Sequence, residues 1–111
     1  MSVTAKALIP AKVAEDTQST QYTATNVTTI IDKFTATNYG ASAAAISVNL
    51  VTAADTSGTQ NLIVKTKTLQ PSETYTFPEL VGHILNSNGF ISTLASAPLT
   101  INIRASGREF S

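Results

Sequence analysis

The feature that most constrains this chain is the regular spacing of short β-forming runs by turn residues, seven or eight times in 111 residues. Two segments show it best: Ile31-Asp32-Lys33-Phe34-Thr35-Ala36-Thr37-Asn38, and Leu69-Gln70-Pro71-Ser72-Glu73-Thr74-Tyr75-Thr76-Phe77-Pro78-Glu79-Leu80. β-Branched and aromatic residues favour a pleated, half-buried backbone, and Thr is the most frequent residue of the chain. Many short strands separated by turns predict an antiparallel sandwich. No internal repeat or low-complexity tract competes with that reading.

The strands can be placed from period and punctuation. Val27 to Asn38 is the strongest long strand, with Ile30, Phe34 and Ala36 expected on one face. Strict alternation would put Asp32 on that same face, which predicts a bulge near Asp32 or a polar partner for it. Asn38-Tyr39-Gly40 supplies turn chemistry. A strand from about Ala43 then alternates Ile46, Val48 and Leu50 with Ser47, Asn49 and Val51.

The polar loop at Asp55 to Thr59 leads into a returning strand, Leu62 to Leu69, whose Leu62, Val64 and Thr66 face the core while Lys65 and Lys67 face water. Gln70-Pro71-Ser72-Glu73 is a turn with Pro setting φ. Pro78 ends the next strand and opens Glu79 to Leu85, where Leu80, Val81, Ile84 and Leu85 have helical spacing, so one or two helical turns are expected there. Phe90 to Ala95 and Leu99 to Ala105 are the last strands, the latter with Leu99, Ile101 and Ile103 on one face.

The fold expected is therefore all-β: an antiparallel β-sandwich, jelly-roll-like in preference to immunoglobulin-like, with one short helical turn and an extended N-terminal arm. Residues 1–19 form the arm or an edge strand, with Leu8 and Ile9 as its anchor, and residues 20–111 form a single sandwich domain.

Composition narrows the function. Charged residues make up 13% of the chain, about half the usual share, and the formal net charge is 0. An uncharged polar surface offers little repulsion between copies, so self-association is expected. Scattered Lys and Arg argue against nucleic acid as a partner. No segment has the length and apolarity of a membrane span or a signal peptide, so a soluble protein made in a cytoplasm is expected. With no cysteine, disulfides, thiolate metal sites and cysteine nucleophiles are excluded.

No catalytic constellation emerges. His83 is the only histidine, and a zinc site would need Glu79, four residues away, with Asp32 or Glu73; a surface or capping histidine explains it more simply. The nucleophile elbow of serine hydrolases is missing, the glycines are isolated from one another, and nothing places Asp32 and Glu73 as a glycosidase pair. The chain reads as a non-enzyme without cofactor or metal. Tyr22, Tyr39 and Tyr75 are packing or interface residues on this reading.

Ile30 to Asn38, Gln70 to Tyr75, Pro78-Glu79-Leu80-Val81-Gly82-His83-Ile84-Leu85 and the ending Arg104-Ala105-Ser106-Gly107-Arg108-Glu109 together resemble a family of small structural proteins of tailed bacteriophages. The likeness covers approximately Tyr22 to Glu109. It implies a minor capsid, decoration or cement protein on the outer surface of the virion shell, bound to the major capsid protein and to copies of itself as a homotrimer. On that expectation Leu8, Ile9, Tyr22 and Tyr39 are the interface residues, and the arm reaches a neighbour or the shell. Two other readings share the same fold: a tail or head-to-tail component, and a host-surface or carbohydrate-binding module using the Ala53 to Gln60 loop. The absence of Trp leaves the last without the usual aromatic platform.

Overall fold

The computed structural model describes residues 2–111. Nine strands occur among them: β1 (Val3–Val13), β2 (Ser19–Thr23), β3 (Thr28–Asn38), β4 (Ala44–Val51), β5 (Leu62–Leu69), β6 (Thr74–Tyr75), β7 (Ile84–Leu85), β8 (Phe90–Ala95) and β9 (Ile101–Phe110). They form two antiparallel sheets. Sheet A runs β1-β9-β3-β6, with β7 also paired to β3, and sheet B runs β2-β8-β4-β5.

The pairings nest. β4 pairs with β5, β3 with β6 and β7, β2 with β8, and β1 with β9, as though one long hairpin had been closed at the β4–β5 connection and wound on itself. The further pairs β3–β9 and β4–β8 complete the sheets. Counting β6 and β7 as one interrupted strand, this is the eight-strand order of a jelly roll.

Between the sheets lies one apolar core built from Ile9, Ile31, Phe34, Ile46, Val48, Leu69, Phe77, Ile91, Ile101 and Ile103. Phe34 and Phe77 meet edge to face with centroids 5.1 Å apart.

The bulge expected at Asp32 is present: the β3–β9 register shifts between Ile31 and Lys33. Its consequence is a change of phase, so that Ile31 rather than Ile30 joins Phe34 and Ala36 in the core. Asp32 also has its polar partner, because Arg108 Nε and Nη2 each donate to its carboxylate at 2.9 Å. A second bulge in β5, where Thr66 has φ of 46°, turns Thr66 outward instead of into the core. Leu99, expected on the face of Ile101 and Ile103, precedes β9 in a turn and is exposed.

The helical turn expected over Glu79 to Leu85 does not form. Two successive turns, Leu80 N–H to Phe77 O and His83 N–H to Leu80 O, lead instead into β7. Gly82 has φ of 87°, its N–H donates to Ile31 O at 2.7 Å, and Ile31 N–H donates to His83 O. Four apolar residues cannot offset the cost of helix nucleation when the edge of β3 offers those backbone groups partners. The single helical element among the described residues is a 3-10 turn at Thr59–Asn61, in the segment expected as a loop.

The N-terminal segment is the edge-strand alternative, not a free arm: β1 pairs with β9 along its length. Met1, the first residue of the expected arm, lies outside the described residues.

Candidate functional site

Three of the four residues expected at an interface are used inside the molecule. Leu8 and Ile9 are 4% and 0% exposed, because irregular register in β1 on both sides of Ile9 turns two consecutive side chains inward. Tyr22 is 8% exposed. Its hydroxyl accepts from Thr29 Oγ1 at 2.7 Å and donates to Glu109, and Lys6 Nζ donates to the same carboxylate at 3.3 Å. That cluster joins β1, β2, β3 and β9. Burial above all, and then Glu109, pushes the Tyr22 phenol up to about 12. Tyr39 alone is at the surface, 52% exposed.

The residues considered for metal or acid–base chemistry are dispersed. Asp32 is held by Arg108, whose hydrogen bonds keep its carboxyl below the usual range. Glu73 Oε1 accepts from Gln70 N–H, and Glu79 accepts from Tyr75 Oη. His83 is exposed and engaged through its backbone. Among the described residues no group of three or more His, Cys, Asp or Glu is arranged to hold a metal ion.

What the fold does arrange is charge. All seven cations lie on strands: Lys6 and Lys12 on β1, Lys33 on β3, Lys65 and Lys67 on β5, Arg104 and Arg108 on β9. Five of the seven acids, Glu15, Asp16, Asp55, Glu73 and Glu79, lie on connections. The two strand acids, Asp32 and Glu109, are already paired with Arg108 and Lys6. A neutral chain is thereby divided into basic strand surfaces and acidic ends, on a body measuring 46 × 26 × 20 Å.

Two surfaces follow. One end of the sandwich gathers the connections 14–18, 39–43, 70–73 and 96–100, held together by Ala14 N–H to Ile101 O, Tyr39 N–H to Thr100 O and Asn38 N–H to Glu73 O. It carries Asp16 and Glu73, the exposed Tyr39 and Leu99, and Glu15, which Lys12 at the end of β1 pairs at 2.9 Å. The outer face of sheet A carries Lys33 and Arg104, neither in an ion pair among the described residues, flanking a groove of about 250 Å³ with Thr35 and Ser106. Beyond Lys33 the surface continues into a recess lined by Asp32, Thr76, Pro78 and Val81, where the Asp32 carboxylate is already paired with Arg108.

A third surface is polar and uncharged apart from one lysine. On the outer side of sheet B, Asn49 Nδ2 donates to Gly58 O at 3.0 Å and to Asn61 Oδ1 at 2.8 Å, which fastens the Ala53 to Gln60 loop over β4. Gln18 Nε2 donates to Asn49 Oδ1 and to Ser92 Oγ. Beside this network runs a groove of about 280 Å³ lined by Gln18, Ser47, Thr59, Lys65, Thr66 and Leu94. Comparison with family models, characterised proteins and solved structures finds no match for the chain.

Nothing local in the sequence marks the acidic end or the basic face. Both become legible once strands are placed, since the sorting is of cations to strands and acids to turns.

Proposed function

We propose that this chain is a structural protein of a tailed-bacteriophage virion, a minor capsid or decoration protein on the outer shell that binds the major capsid protein and copies of itself across neighbouring capsomers. The observation that carries the reading is the jelly-roll strand order, an architecture that viral capsid domains use. Fold alone hosts many functions, so the place on the shell rests on the resemblance of Ile30 to Asn38, Gln70 to Tyr75, Pro78 to Leu85 and Arg104 to Glu109 to small phage virion proteins.

The surface chemistry suits that role. A small module with few charges presents no strong repulsion to its copies, and many weak contacts to one shell acquire the avidity that each lacks alone. Quantitative mass spectrometry of purified virions against the major capsid protein tests it. A simple whole-number ratio to the capsid subunit is the expected result. A count matching a tail or connector moves the protein there, and absence from the particle overturns the reading.

A further inference from the structure

We propose that copies of this protein associate head to tail: the acidic end bearing Leu99, Tyr39 and Asp16 of one copy seats on the outer face of sheet A of the next, at Lys33, Arg104, Pro78 and Val81. This rests on the part of the reading above in which the chain binds itself, and it names the surfaces.

Leu99 carries the argument first. It is 75% exposed, follows Pro98, and has φ of 52°, a conformation uncommon for any residue with a side chain and strained for a bulky one. The turn is held in place by Tyr39 N–H to Thr100 O at 2.9 Å and Thr100 Oγ1 to Pro98 O at 2.8 Å. A strained backbone that holds a large apolar side chain in water marks a contact surface. Tyr39, whose backbone bonds to the same turn, is also exposed. Asp16 lies on the β1–β2 connection, which shares a groove with Pro98 and Leu99.

Charge then selects the partner surface. With Glu15 paired to Lys12, end against end would set Asp16 and Glu73 of one copy opposite the same acids of the other, and face against face would oppose Lys33 and Arg104 to themselves. Isologous two-fold contacts are thus disfavoured on both surfaces. End against face pairs opposite signs. It also pairs apolar with apolar, since the recess of Pro78 and the half-exposed Val81 adjoins Lys33. Such a contact is heterologous, and repeated copies close into a ring wherever the rotation permits.

Sedimentation equilibrium of the full chain tests the contact, with Asp16→Lys, Lys33→Glu, the double variant and Leu99→Ser, each checked for native circular dichroism. The wild type is expected to associate with concentration, more tightly at low salt than at high. Each single charge reversal weakens association by roughly tenfold or more, and Leu99→Ser weakens it at both salt levels. In the double variant the two reversed charges again meet as opposites across the contact, so it associates more tightly than either single. A wild type that stays monomeric at every concentration overturns the proposal, as does a double variant no tighter than the weaker single. Either failure leaves the virion reading to its own copy-number measurement, and absence from the particle leaves this contact standing.

Discussion

Tyr22 shows what one side chain can fasten. Its ring packs against the core while its hydroxyl accepts from Thr29 and donates to Glu109, so a single residue of β2 connects sheet B to two strands of sheet A. Hydrogen bonds to charged groups contribute more than neutral ones, and Tyr22→Phe is expected to cost about 1.5–3 kcal/mol at neutral pH. The pH dependence has a definite sign. Tyr22 and Lys6 hold the Glu109 carboxyl below its ordinary value of 4.5, so its contribution is present above 4.5 and is lost as pH falls through the lowered folded value. The Tyr22 phenol, raised from 10.0 to about 12, contributes stability that is complete below 10.0 and lost as pH rises through about 12. Urea unfolding midpoints of wild type and Tyr22→Phe across pH should differ most near neutrality and converge at both extremes. Parallel profiles would show that the cluster does not set the pH response.

At the scale of the element, the β3–β9 pair is organised by its bulge. Opposite Asp32 the partner strand comes close, and a Cβ added at Gly107 would collide with the Ile30 carbonyl oxygen and lie 2.7 Å from Leu8 Cδ1. Backbone cannot move aside there without breaking the ladder, so Gly107→Ala is expected to destabilise by about 3 kcal/mol, measured by urea unfolding. A loss below about 1 kcal/mol, on the order of a surface change, would mean that the strands separate freely at this point.

The same bulge explains what could be read in advance. Asp32 conflicts with the alternation of its own strand, and that local conflict was sufficient to locate the irregularity and ask for a partner. Turns at Tyr39-Gly40 and Pro71-Ser72 were likewise legible, because Gly and Pro restrict or free φ in ways that depend on no other segment. Glu79 to Leu85 was misleading for the opposite reason. Its helical spacing is real, but the backbone partners at Ile31 come from another strand, and Leu80 packs into the core from a turn. Leu8 and Ile9 similarly looked like an anchor for a neighbour, although their partner is β9 at the far end of the chain. The surface most readily extracted from composition was its low charge; the sorting of that charge needed the strands.

The whole molecule closes from the middle of the chain outward, and its folding should follow. Val48 faces Val64 across a short connection, whereas Val3 faces Phe110 across nearly the full length. Loop closure costs more entropy as the enclosed segment lengthens, so pairing β4 with β5 first and β1 with β9 last shortens each later closure. Non-local pairing also makes folding slow, in the range of about milliseconds to seconds for all-β domains of this kind. Truncations at the two ends of the nest separate the steps. Val64→Ala on β5 is expected to slow refolding, while Leu8→Ala on β1, removing a side chain equally committed to the core, should mainly speed unfolding. Stopped-flow chevrons at low protein concentration measure both. If Leu8→Ala slows refolding as much as Val64→Ala does, β1 is already docked in the transition state, and the closure begins at the sheet A edge instead of at the central hairpin.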